Sequence, residues 1–188
     1  QTEAPMLLAG VLLQRGDSAA ADHLYEQVLQ RDPSETRAWR GRFAIGVRES
    51  TAERSPDAWL DAAEAQAKRL NVPAGDLIDA GALREAADRE LAQGRASVAL
   101  RWLERGVALQ GQDPWLRHDL ARLYLRDGLP DLAKNVIDEG LQQAPEDPQM
   151  RYAAALIALS SDREQDTLAL LDGIPAADRT DSQASVAT

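Results

Sequence analysis

Three glycines constrain this chain most. Gly16, Gly94 and Gly128 sit at equivalent places in a recurring pattern, and they are separated by 78 and 34 residues. Ala21, Ala99 and Ala133 repeat the same two separations. So do the small residues that precede the glycines, Ala9, Ala87 and Ala121. A fixed period of this size means one supersecondary unit is repeated along the chain, each copy burying its apolar face on the next. The pattern around each glycine is helical. Apolar and small residues lie three and four apart on both sides of it, as in Leu8, Ala9 and Leu12 before Gly16 and Ala21, Tyr25 and Val28 after it. The glycine supplies the left-handed residue that ends the first helix of each pair. The larger residues Tyr25, Leu103 and Ile137 are placed to fill the space between repeats, and prolines such as Pro33 and Pro145 stop the second helix.

Composition agrees. The chain has 34 Ala and 26 Leu among 188 residues, against only 19 Val, Ile and Thr together. That balance favours helices over strands and argues against a β-sandwich, a barrel or an α/β enzyme. Leu, Ile, Val and Phe number 40, so the alanines must be packing residues between closely spaced helices. The net charge of −10 makes a nucleic-acid or anionic-membrane binder a poor reading. Of 21 basic residues, 19 are Arg, the exceptions being Lys68 and Lys134. GC-rich codon usage accounts for such a bias; an arginine recognition surface does so too, since guanidinium offers forked donors and stacks on rings. With no cysteine, there is no disulfide scaffold and no thiolate zinc site. No apolar run approaches a membrane span. No leader pattern opens the chain, which reads as an excised fragment.

A period of 34 residues built as helix, turn, helix is the tetratricopeptide repeat (TPR) signature, and the chain resembles that family over nearly all of residues 4–174. The resemblance implies an all-α, TPR-type α-solenoid of antiparallel helix pairs. The expected repeats are 1–33, an irregular 34–71 with an insertion, 72–114, 115–147 and a degenerate 148–175, followed by a polar tail, 176–188. The spacing of 78 is two periods plus ten residues, hence the irregular repeat. Its first helix is expected from Glu35 to Arg48. Ser55 and Pro56 open its second, Asp57 to Leu70, which exposes Trp59, Ala63 and Ala67. Residues 71–75 then form a linker and a bend, a rigid kink or a hinge, and Ala74 or Asp76 begins a long helix ending near Gln93. Gln110–Pro114 reads as a second deviation, about three residues over length. The last repeat has helices at Pro148–Ser160 and Arg163–Asp172, with Ser161-Asp162 in place of the glycine and Thr167 in place of the alanine. The open ends of the array expose apolar helix faces.

Chemistry-bearing motifs are sparse. The two histidines, His23 and His118, are far apart, and no nucleophile elbow, P-loop, zinc or dinucleotide signature occurs. His118-Asp119 with Asp113 is too loose for a metal cluster, and both histidines read as exposed helix residues. The chain is read as non-enzymatic, with no cofactor and no metal. In TPR proteins, binding surfaces come from particular first-helix positions. In this register those positions hold Arg37, Arg40 and Arg48; Arg84 and Asp88; Trp115, His118, Arg122 and Arg126; and Tyr152. His118, Arg122 and Arg126 lie four apart and share a face. The set suits a sugar, an acidic peptide or a carboxylate. Equally, the arginines could pair with acidic neighbours, and Trp115 and Tyr152 could pack between repeats.

One stretch is more specific than a general TPR. Asp113-Pro114-Trp115-Leu116-Arg117-His118-Asp119-Leu120-Ala121-Arg122-Leu123-Tyr124-Leu125-Arg126, followed by Gly128, is similar to the periplasmic TPR region of the family of bacterial cellulose synthase C components. Ala169 to Pro175 and the irregular repeat add to that resemblance. It implies a non-catalytic periplasmic scaffold in a Gram-negative bacterium, part of a protein with a C-terminal outer-membrane β-barrel for polymer export. The implied partners are other subunits of a cellulose synthesis and export complex, with glucan or peptidoglycan as further contacts. The fragment itself has no nucleic-acid partner and no membrane span, and is a monomer or a weak, concentration-dependent dimer. The other reading is a TPR adaptor of another exopolysaccharide or protein-assembly system that binds peptides.

Overall fold

A computed structural model describes residues 2–50, 55–160 and 163–175. The polar tail 176–188 and the Ser161-Asp162 junction lie outside the described residues. Among the described residues ten α-helices follow one another: α1 Glu3–Gln14, α2 Ser18–Arg31, α3 Thr36–Arg48, α4 Pro56–Leu70, α5 Ala80–Ala92, α6 Ala96–Leu109, α7 Pro114–Arg126, α8 Pro130–Gln143, α9 Pro148–Ser160 and α10 Glu164–Asp172. No strand occurs among the described residues. The fold is all-α, of the TPR solenoid class. It divides within α6 into two compact units, Gln1–Trp102 and Leu103–Thr188.

The recurring glycines do what their spacing predicts. Gly16, Gly94 and Gly128 have φ of +81°, +75° and +74°, in the left-handed region where a side chain is strained. Each closes a Schellman motif. Asp17 N donates to Leu12 O at 2.9 Å, Arg95 N to Glu90 O at 2.9 Å and Leu129 N to Tyr124 O at 2.8 Å. The helix carbonyls are thereby satisfied, and a three-residue turn reverses the chain. The small residues Ala9, Ala21, Ala87, Ala99, Ala121 and Ala133 are all buried, as are Tyr25, Leu103 and Ile137. In the first unit, Ala9, Ala21, Tyr25, Val28, Leu29, Ala38 and Ile45 form one cluster, with α1 on α2 and α2 on α3. In the second, α7 packs on α8 and α9, and α9 on α10. There Thr167 takes the expected alanine position, and its hydroxyl donates to Arg163 O at 3.0 Å, so the buried polar group is satisfied.

Helix bounds locate the surplus residues. The connections 15–17, 93–95 and 127–129 have three residues, whereas α3 and α4 are joined by seven, 49–55. Helix α4 has 15 residues, against 14 in α2, α6 and α8. Residues 32–35, 110–113 and 144–147 carry one helix pair to the next, four residues each, but 71–79 takes nine. Gln110–Pro114 is therefore of regular length, contrary to the sequence expectation. Its helix α6 ends at Leu109 and α7 starts at Pro114, which leaves the same four-residue span as its equivalents.

The linker expected at 71–75 is more structured than its Pro/Gly content implied. Asn71 takes a left-handed conformation, φ 55°, and closes α4 through Val72 N to Ala67 O at 3.1 Å. A 3-10 turn, Ala74–Leu77, follows and packs on α3 and α4. Leu77 and Ile78 are buried. The next helix thus begins at Ala80, not at Ala74 or Asp76, because Asp79 caps it by accepting from Ala82 N at 2.7 Å. Two residues expected to be exposed, Ala63 and Ala67, are buried instead. They form the inner face of α4, and only Trp59 is partly accessible. At the other end of the first unit, Leu7, Leu8 and Val11 on α1 are 70%, 51% and 43% exposed.

Candidate functional site

The predicted recognition residues fall on two surfaces, one in each unit. The first lies on α3 and α5. Arg37 Nε donates to Glu35 Oε1 at 2.9 Å, and its Nη2 donates to Glu3 Oε1 at 2.9 Å. These bonds hold the Glu35 carboxyl below the usual carboxylate range and push Arg37 up. Arg40 Nη2 donates to Asp76 O at 3.1 Å, fastening α3 to the 3-10 turn. Arg48 grips Glu85 with two donors, at 2.8 and 3.4 Å. That hydrogen bond lowers the Glu85 pKa and raises that of Arg48. Arg84, on α5, is half-buried, and Asp88 is exposed. Arg37 and Arg48 thus make ion pairs, and Arg40 bonds a backbone carbonyl.

The second surface lies on α7 and α9. Three aromatic rings form a ladder along it. Trp115 meets His118 edge-on, with centroids 6.2 Å apart and planes at 78°. His118 then stacks on Tyr152 of α9, at 6.2 Å and 20°. Both arrangements suit the ring quadrupoles. His118, expected to be exposed, is mostly covered: its side chain is only 16% accessible because Tyr152 lies over it. Its Nδ1 lies 3.1 Å from Asp119 Oδ1, and Asp119 is buried. Arg122 Nη2 sits 3.8 Å from the same oxygen, with the side chain 56% exposed. Arg126 Nε is 3.5 Å from Asp127 Oδ1. Trp115 is 42% exposed. The structure therefore brings Trp115, His118 and Tyr152 together, with Arg122 beside them, and turns Arg126 toward the end of its helix.

Several arginines outside the expected set prove structural. Arg117 is buried. Its Nε donates to Gly111 O at 2.6 Å and its Nη1 to Val136 O at 2.8 Å, with Glu139 Oε2 at 3.2 Å. Arg89 caps the end of α3, donating to Arg48 O at 2.8 Å and Val47 O at 2.9 Å. Arg42 makes a two-pronged pair with Asp22, at 2.7 and 3.1 Å. A signal for Arg117 was present in the sequence: Leu120, Ala121 and Tyr124 lie three, four and seven residues on, so it falls on the core stripe. Among the described residues no three His, Asp or Glu side chains converge to hold a metal ion. Nor is any described helix long and apolar enough to cross a membrane. A cavity of about 370 Å³ opens among α8, α9 and α10, floored by Ile137, Ile157 and Leu170. The pairs Lys134–Asp138 and Arg163–Asp166 stand at its edge.

Residues 90–157 match the tetratricopeptide repeat family. The crystal structure of YrrB, described as a TPR protein with an unusual peptide-binding site, is 20% identical, with a TM-score of 0.52 over 97% of this chain and 89% of that one. The structure of PilF from Pseudomonas aeruginosa gives 17% identity and a TM-score of 0.57, over 97% and 79%. These likenesses concern the fold alone. The family match places tetratricopeptide repeats within residues 90–157, and the fold as a whole is of the TPR solenoid kind, which generally serves protein interaction without catalysis.

Two curated relatives carry a more particular name. "Cellulose synthase operon protein C" of Xanthomonas axonopodis pv. citri (strain 306) is 34% identical over 171 residues, covering 91% of this chain and 11% of that protein. The protein of the same name from Pseudomonas fluorescens (strain SBW25) is 29% identical over 190 residues, covering 100% and 14%. The chain thus spans little more than a tenth of the length of the curated relatives it matches.

Proposed function

We propose that this chain is a non-catalytic periplasmic scaffold segment of a cellulose synthesis and export system, part of a protein with an outer-membrane β-barrel. It holds protein subunits of that system and contacts glucan or peptidoglycan. The observation that carries the reading is the α7–α9 surface in a chain similar to cellulose synthase operon protein C. Trp115 offers an accessible ring, His118 and Tyr152 extend it across two helices, and Arg122 adds a forked donor at its side. Rings bind the C–H faces of a sugar, and guanidinium donors bind hydroxyl or carboxylate oxygens. The remaining candidates, Arg37, Arg40, Arg48 and Arg84, belong to the α3–α5 surface and are proposed as partner contacts only through their exposed edges.

The test is a titration of the chain with the purified synthase subunits, with cello-oligosaccharides and with peptidoglycan fragments. Replacing both Arg122 and Arg126 by Ala is expected to weaken at least one of these about tenfold or more. Unchanged affinity for all three would remove the α7–α9 surface from the reading. Preference for an acidic peptide over all three would favour the adaptor alternative, for which two guanidinium groups one turn apart are also suited.

A further inference from the structure

The two helices of the irregular repeat, α3 and α4, enclose a pocket together with Leu77 from the connection that follows them. It has a volume of about 140 Å³ and is walled by Trp39, Phe43 and Trp59, with Leu77 at its base and Gln66 and Arg42 among its lining groups. Each wall is fixed in advance. Trp39 Nε1 donates to Pro33 O at 2.9 Å, which sets the plane of its ring. Phe43 is buried. Trp59 lies directly on the backbone of α3 at Gly46, where any Cβ would collide with its six-membered ring. Leu77 comes from the nine-residue connection 71–79 and is itself fully buried. Arg42 is oriented by its two bonds to Asp22.

We infer that this pocket is a glucan subsite that takes one pyranose ring of a β-linked chain. The inference rests on the proposed role in cellulose export. The volume admits a single six-membered ring and no folded segment. The indole faces match the C–H faces of an equatorially substituted sugar, and such offset contacts to aromatic rings are favourable. Gln66 supplies both a donor and an acceptor, and Arg42 supplies further N–H donors, which ring hydroxyls can use. A purely apolar side chain from a peptide would fill the same volume but would offer Gln66 no hydrogen-bond partner, which costs free energy. Small-molecule sites have this character: mostly apolar walls with a few convergent polar groups. Because the walls are held without a ligand, little ordering entropy is lost on binding.

The four tryptophans make the test site-resolved. Trp39 and Trp59 report on this pocket, Trp115 on the α7–α9 surface, and Trp102, whose Nε1 donates to Asp57 Oδ2 at 3.1 Å, serves as an internal reference. Cellopentaose is titrated into the whole chain while the four indole N–H resonances are followed. The Trp39 and Trp59 signals are expected to shift saturably. Trp59→Ala is expected to weaken binding at least about tenfold, and Gln66→Ala, which leaves the core intact, about two- to tenfold. An unmoved Trp102 resonance in each variant confirms folding. A shift confined to Trp115 would overturn the pocket and leave the proposed surface standing. No shift at any indole would overturn the pocket and the glucan contact of the proposed function together, while subunit binding would still decide the scaffold role. Unchanged affinity in Gln66→Ala and Trp59→Ala would likewise overturn the assignment. So would saturable shifts at Trp39 and Trp59 with a phenylalanine-rich hexapeptide but not with cellopentaose, since the occupant would then be a peptide side chain.

Discussion

Residues 32–35, 110–113 and 144–147 each carry the chain from one helix pair to the next in four residues, and each is closed by the same bond. The fourth residue of the incoming helix donates a side-chain N–H to the carbonyl of the second connecting residue. Trp39 Nε1 reaches Pro33 O at 2.9 Å, Arg117 Nε reaches Gly111 O at 2.6 Å, and Arg151 Nε reaches Pro145 O at 2.9 Å. Two chemically unlike side chains do one job, because both an indole and a guanidinium present an N–H in the ring or fork plane. The connection 71–79 differs. Its equivalent helix position is Leu83, which has no donor and is buried. Here the chain is held by sinking Leu77 and Ile78 into the space beside α3 and α4. A directional bond fixes a short connection; a long one, with more ways to wander, is fixed by burial, which needs no precise geometry.

Ranked by size, four changes press on that contrast. Leu77→Ala leaves a cavity at the base of the wedge and is expected to cost about 3 kcal/mol in urea unfolding; a loss below about 1 kcal/mol would mean that burial does not hold this connection. Arg117→Met keeps the apolar stem but removes the side-chain donor to the Gly111 carbonyl in the connection, and the additional donor to the Val136 carbonyl within α8. It is expected to cost about 2 kcal/mol, and faster amide exchange at 110–113 should accompany it. Capping should be alike on both sides of the comparison. Asp79 accepts from Ala82 N at 2.7 Å and Asp113 from Leu116 N at 2.8 Å. Each change to Ala is expected to cost about 1 kcal/mol in the same unfolding assay; a much larger loss at Asp79 would show that the wedge depends on the cap. The smallest effect concerns Arg48–Glu85. The Glu85 pKa is lowered in the folded state by the Arg48 hydrogen bond. Its contribution is therefore present above the unfolded value of about 4.3 and is lost as pH falls through the lower folded value. Both side chains are about half exposed, so Glu85→Gln should flatten the acid limb of stability against pH by well under about 1 kcal/mol.

Much of the regular part was legible because its signals are local. Gly16, Gly94 and Gly128 each occupy a left-handed position, and Ala21 and Ala133 are fully buried where helices meet, so a fixed period of glycine and alanine carries the fold directly. The irregular repeat was harder for a definite reason. Val72, Leu77 and Ile78 sit among Pro73, Gly75 and Asp76, and so short an apolar run in turn-forming company reads as a linker. Only the packing of α3 against α4 shows that there is space to fill. The arginines illustrate a second limit. With 19 in the chain, residue type cannot separate Arg117, buried and bonded to carbonyls, from Arg122, exposed on the next turn. Periodicity does separate them, since Arg117 shares the stripe of Leu120 and Tyr124. The pocket of Trp39, Phe43 and Trp59 was invisible because it joins residues from two helices and a connection whose course the sequence does not reveal.

The exposed face of α1 has a consequence for how this chain behaves in bulk. Leu7, Leu8 and Val11 form a sticky patch on a body of net charge −10. At low ionic strength like-charge repulsion acts over about 30 Å and keeps molecules apart; at about 0.15 M salt that range shrinks to about 8 Å, and the patches can meet. Colloidal behaviour should therefore run opposite to that of proteins joined by ion pairs. Sedimentation at rising salt is expected to show growing self-association, and Leu7→Glu is expected to abolish it.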